Sequence, residues 1–180
     1  MYQRILVAVD GSPTSNRGVQ EAIRLAQMTG GKLRLMHCID DLSFSIIMGA
    51  YGMDAAGGYV GDWITALRSN GESILHEVAA AAQSARVEVE TLMGENFAGP
   101  VWEQISKEAD KWNADLVVLG THGRRGVGRA LLGSTAELLV RHASVPVLLI
   151  RLPEPAKPQK EATAPLQVSL PVGALAIEKV

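Results

Sequence analysis

LVVLGTHGRRGVGRALLGSTAE, residues 116–137, is the stretch on which the reading of this chain turns. Its first four residues, Leu116, Val117, Val118 and Leu119, are an unbroken apolar run, the pattern of a strand buried on both faces of a parallel sheet. Gly120 and Gly123 follow, and glycines let backbone N–H groups approach a ligand closely without strain. Arg124, Arg125 and Arg129 bring formal positive charge. Gly133-Ser134-Thr135 then opens a helix, whose first N–H groups lack intrahelical partners and whose dipole adds partial positive charge. Strand, glycine loop, basic side chains and helix start together describe a cradle for an anion, above all for phosphates. A purely structural account is open as well. Ser134-Thr135-Ala136-Glu137 has the S-x-x-E form of a capping box, and the two glycines could simply turn the chain out of the strand. That account leaves the arginines, Gly126 and Gly128 without a role.

The spacing excludes two common phosphate cradles. A Walker A loop requires a lysine before its Ser or Thr, and none lies between Gly120 and Thr135. A Rossmann fingerprint requires a third glycine, but after Gly126-Val127-Gly128 that position holds Leu131. The pattern present is Gly120-x2-Gly123-x9-Gly133-Ser134. Together with the opening RILVAVDGS and the run RHASVPVLLIR, it resembles the ATP-binding branch of the universal stress protein family, over residues 2–151.

Working outward, the rest of the chain reads as alternating strands and helices. Arg4 to Val9 is too continuously apolar for a half-exposed strand. Ser12 and Pro13 then form an N-cap with proline at the first helical position, and Val19, Ala22, Ile23 and Ala26 repeat at helical spacing up to Gly30-Gly31. Residues 33–39 form a second strand, which makes a βαβ opening and predicts a parallel sheet. Residues 40–61 carry five glycines and no sustained period, so they read as a long connection, either a lid or an insertion without a role. A helix is expected over residues 63–85, with Gly71 inside it as an irregularity. Val87, Val89 and Thr91 alternate as a third strand. Pro100 opens a helix that turns Val101, Ile105 and Ala109 inward, residues 116–119 are the fourth strand, and residues 145–150 are the fifth.

Composition bounds the class. The 180 residues suit one domain with a full α/β core, and 47% of them are hydrophobic but only 4% aromatic. A net charge of −2 gives no long-range pull toward nucleic acid or an anionic membrane. The single cysteine, Cys38, precludes an internal disulfide and suits a reducing cytoplasm. No signal peptide or membrane-spanning run is read, and the four histidines show no metal-ligand spacing.

The resemblance implies a single five-stranded parallel sheet, order 3-2-1-4-5, with helices on both faces, a Rossmann-like, adenine nucleotide alpha-hydrolase-like α/β fold. In that order the crevice at the carboxyl ends of strands one and four is the expected ligand site. The family's pattern places Ala8, Val9 and Asp10 along the nucleoside, with the Asp10 carboxylate near the ribose. The backbone at Cys38 and Ile39 would meet the adenine edge. Gly120, Thr121, His122, Gly123, Arg124 and Arg125 would surround ribose and phosphates, and Gly133, Ser134 and Thr135 would take the phosphates. Asp10 could instead merely begin a turn with Gly11. The implied function is an ATP-binding, cytoplasmic regulatory module of the stress response, with or without Mg²⁺. The alternative is a slow ATPase or phosphotransferase on the same site. The resemblance also implies a homodimer paired along residues 145–150. It covers a domain of residues 1–151 and leaves 152–180, a Pro-rich linker and tail, as a departure. Alternating Leu166, Val168, Leu170 and Val172 would let that tail pack as an added strand or arm; otherwise it stays disordered.

Overall fold

A computed structural model describes residues 1–39, 60–94, 99–123 and 132–152, with the backbone alone for residues 60–64. Arg124, Arg125, Arg129, most of the 40–61 connection and the tail beyond residue 152 lie outside the described residues. Five strands pair in parallel: β1 (Arg4–Ala8), β2 (Lys32–Cys38), β3 (Val89–Gly94), β4 (Leu116–Gly120) and β5 (Val147–Ile150). Their order is β3-β2-β1-β4-β5, the topology the resemblance implies.

The central strands β1 and β4 are apolar at consecutive positions because both faces are covered. Ile5, Val7, Leu33 and Leu35 face one core, with Val19, Ala22 and Ile23 of α1 (Pro13–Thr29) and Leu75, Val78 and Ala82 of α2 (Val60–Ser84). Leu6, Met36, Val117 and Leu119 face the other, with Ile105 and Trp112 of α3 (Val101–Trp112) and Leu139 of α4 (Ser134–His142). Side chains this deeply buried are worth about 1.5–3 kcal/mol each in transfer terms, so the two cores dominate the stability. The α1 caps follow the local chemistry. Ser12 accepts from the Ser15 N–H, and Gly30 closes the helix at φ 67°.

Several boundaries differ from the sequence expectation for identifiable reasons. β5 begins at Val147, not Val145, since Pro146 has no N–H and contributes only its carbonyl, to Val117 N at 2.9 Å. β3 begins at Val89 because the Val87 N–H turns back to Ala82 O at 3.0 Å. Pro100 is the extended N-cap of α3 rather than its first helical residue. α2 starts at Val60 and runs through Gly71 without a break. A Cβ on Gly71 would lie 2.7 Å from both His37 Cδ2 and Met93 Cε, so any larger residue there must displace these side chains of β2 and β3.

Candidate functional site

β1 ends at Ala8, and the chain turns into α1 through Val9, Asp10, Gly11 and Ser12. The turn is held by Asp10 itself: its Oδ1 accepts from Ser12 N at 2.9 Å, and its N–H donates to Ser15 Oγ at 3.2 Å. The turn role of Asp10 is therefore real, but it uses only one carboxylate oxygen. The other faces Gly123, where a Cβ would come within 2.6 Å of Asp10 Oδ2.

On the neighbouring strand, Thr121 ties the exit of β4 to two elements. Its N–H donates to Ile150 O of β5 at 2.8 Å, and its carbonyl accepts from Gly133 N at 2.9 Å. This brings the start of α4 beside the glycine loop. A Cβ on Gly133 would meet Thr121 O at 3.3 Å, whereas one on Gly120 would meet Thr14 Cγ2 at 2.9 Å. Gly120 thus admits α1 against the sheet, and Gly123 and Gly133 hold loop and helix start together.

The capping-box account of Ser134 does not hold. The N-cap is Gly133, extended at φ −61° and ψ 145°, with no side-chain hydrogen bond to the helix start. Glu137 instead pairs with Arg141 at 3.1 Å, one turn further along. The first N–H groups of α4 are left without a side-chain cap, at the end where the helix dipole is positive.

Between these elements lies a cleft of about 280 Å³. The structure brings Ala8, Val9, Asp10, Cys38, Gly120, Thr121, His122, Gly123, Gly133, Ser134 and Thr135 to its walls. Ile39 is not among them: it is buried, and its N–H is engaged by Gly94 O at 3.2 Å. Arg124 and Arg125 lie outside the described residues. Reading the sequence missed the apolar part of the wall, Met36, Val101, Ile105, Leu119 and Ala136, and the buried Ser15. Met36 shares a strand face with Cys38, and Val101 and Ile105 share a helix face, so their spacing held the signal; nothing local said that both faces met at this cleft. His122 lies half-buried, its Nδ1 3.0 Å from Thr121 Oγ1 and its buried Nε2 without a hydrogen-bond partner. The cleft wall is therefore partly apolar and partly polar, and among the described residues it includes one carboxylate and a helix N-terminus. Among the described residues, no group of three or more His, Cys, Asp or Glu could hold a metal ion.

The sequence model of the universal stress protein family matches residues 1–151. The chain belongs to the universal stress protein family. Universal stress protein MJ0531 of Methanocaldococcus jannaschii is 32% identical over 162 residues, covering 89% of this chain and 86% of the relative. Among solved structures, a family member from Burkholderia pseudomallei is 30% identical, with a TM-score of 0.64 over 83% of this chain and 96% of that one. A universal stress protein from Archaeoglobus fulgidus, solved in complex with dAMP, shares the fold at 22% identity, with a TM-score of 0.57 over 83% of this chain and 98% of its own.

Proposed function

We propose that this universal stress protein binds ATP in the β1/β4 cleft and acts as a nucleotide-holding module of the stress response in the cytoplasm. The observation that carries the reading is the mixed cleft wall. Met36, Val101 and Ile105 offer an apolar surface for a base, the uncapped start of α4 offers N–H donors for phosphates, and the Asp10 carboxylate on the same wall can accept from ribose hydroxyls. The dAMP held by the Archaeoglobus fulgidus relative supports an adenine nucleotide as the class of ligand. A Mg²⁺ arriving with ATP would be held chiefly by the phosphates, since Asp10 is the one carboxylate on the described cleft wall. For the same reason turnover should fall far below the median enzyme rate of about 10 s⁻¹.

The test is extraction of nucleotide from freshly purified protein, identified by mass spectrometry, followed by calorimetric titration with ATP, AMP and GTP. ATP recovered and bound supports the reading. Failure to bind any adenine nucleotide overturns it, and steady-state hydrolysis near 10 s⁻¹ that is lost in Asp10→Asn moves the protein to the ATPase alternative.

Pairing of two chains along β5 belongs to the same proposal. The strand has no neighbour on its outer side among the described residues, and Val140 and Leu152 nearby are 54% and 40% exposed. An apolar edge of this kind is commonly covered by a symmetric partner. Sedimentation velocity of wild type against Leu148→Lys checks it: the variant should shift toward monomer, and unchanged sedimentation would refute the pairing.

A further inference from the structure

His37 is 1% exposed, in the core between β2 and α2, and plays no part in the cleft wall. A leucine would fill such a place without the cost of burying a polar ring. One contact of the ring gives its polarity a use: Nδ1 lies 2.7 Å from Val9 O. A carbonyl oxygen can only accept, so Nδ1 carries the proton and donates.

The Val9 carbonyl and the Asp10 N–H belong to the same peptide unit. Its N–H donates to Ser15 Oγ at 3.2 Å, from α1, while its carbonyl is taken by His37 from β2. β1 has already ended at Ala8, so two side chains grip this peptide plane where regular strand structure has stopped. The next torsions along the chain aim the Asp10 carboxylate, one oxygen at Ser12 N and the other toward Gly123. Gly71 completes the arrangement. Glycine inside a helix costs roughly 1 kcal/mol relative to alanine, yet a Cβ there would press on the His37 ring at 2.7 Å.

We propose that His37 is a positioning residue for nucleotide binding, clamping the Val9–Asp10 peptide together with Ser15 so that Asp10 faces the cleft. The inference rests on the nucleotide-binding reading above. It assigns His37 no contact with the ligand.

His37→Leu, His37→Asn and Gly71→Ala are compared for ATP affinity by calorimetry, for melting temperature, and by NMR of the nucleotide-free chain. The side-chain N–H of asparagine can replace the Nδ1 donor; leucine cannot. His37→Leu should weaken ATP binding by about tenfold, the scale of one lost hydrogen bond, and shift the Asp10 amide resonance; His37→Asn should stay within about threefold of wild type. Gly71→Ala, which moves the ring from outside the site, should fall between them. Wild-type affinity in His37→Leu, or equal losses in the leucine and asparagine variants, overturns the proposal even if both melt lower. Should His37→Leu fail to fold, the ¹⁵N signature of the wild-type ring decides, because an unprotonated Nδ1 is incompatible with the clamp. A wild-type chain that binds no adenine nucleotide overturns the reading of the site instead, and the Asp10 amide shift then judges the clamp alone.

Discussion

The two ends of the sheet use their polar groups in opposite ways. At the amino ends of the strands, Trp112 lies under three cations: Arg34 at 4.6 Å, Arg4 at 5.0 Å and Lys32 at 5.9 Å from the ring centroid. Arg34 also bonds Glu90 and Glu108, Lys32 is 3.5 Å from both Glu88 and Glu90, and the Asp115 carboxylate accepts from the Gln3 and Arg4 N–H groups. Arg34 and Lys32 are thus paired with carboxylates, whereas the buried Arg4 Nε has no hydrogen-bond partner among the described residues. The hydrogen bond from Arg34 holds the Glu90 carboxyl below its ordinary value against the opposing effect of burial, and the charges of Arg34 and Lys32 add to it. At the carboxyl ends, among the described residues, the second Asp10 oxygen faces Gly123 rather than the turn, the His122 Nε2 has no hydrogen-bond partner and the start of α4 has no side-chain cap. Polar groups that satisfy one another build structure. Those left over by the same fold are the groups on which the nucleotide-binding proposal rests.

The largest expected effect strikes the open end alone. Gly123→Val places a branched side chain against Asp10 and should lower ATP affinity by about 100-fold or more, nearly 3 kcal/mol, while the melting temperature stays within a few degrees. Gly133→Val, whose Cβ would have 3.3 Å of clearance from Thr121 O rather than the 2.6 Å available at Gly123, should lose less. Calorimetry on both variants checks the ranking; wild-type affinity in either would erase the contrast between the two ends.

The matched end should respond in the opposite sense. Arg34→Ala strands Glu108, whose side chain is only 9% exposed, and should cost about 2 kcal/mol of stability. For a chain of this size that lowers the melting temperature by roughly 6 °C. ATP affinity should stay within about twofold, and a large loss of binding would mean that the ends are coupled.

A smaller effect is expected from pH. Because the folded pKa of Glu90 lies below its unfolded value, its contribution is present above about pH 4.5 and is lost as pH falls through the lower folded value. Glu90→Gln should therefore melt below wild type at pH 7, and the two should converge in strong acid. A gap that persists at pH 2 would show that the pair acts through packing instead of charge. The smallest effect concerns the tail. Truncation after Arg151 should lower the melting temperature by about 2 °C if residues 166–172 pack on the domain or its partner. Equal melting, with freely exchanging tail amides in the full chain, would make the tail a passenger.

Much of this organisation was legible in the chain itself. Unbroken runs such as Ile5-Leu6-Val7 and Leu116-Val117-Val118-Leu119 announce strands covered on both faces, because a half-exposed strand must alternate. Ser12-Pro13 and Gly30 mark the ends of α1 because capping depends on the residues at the cap. The glycines Gly120, Gly123 and Gly133, and Asp10 just past β1, stood out for the same local reason, and all four line the cleft. What folding alone decided are the contacts between residues far apart in sequence. Gly123 meets Asp10 across the β1–β4 crevice, Gly71 makes room for His37, and Met36 of β2 meets Ile105 of α3 at one cleft. Even the capping box at Ser134 was settled at a distance, by Thr121 drawing Gly133 into the N-cap position. Propensity and patterning act over a few neighbouring residues, whereas which glycine faces which side chain is set by how the helices cross the sheet, and that follows from packing the two cores at once.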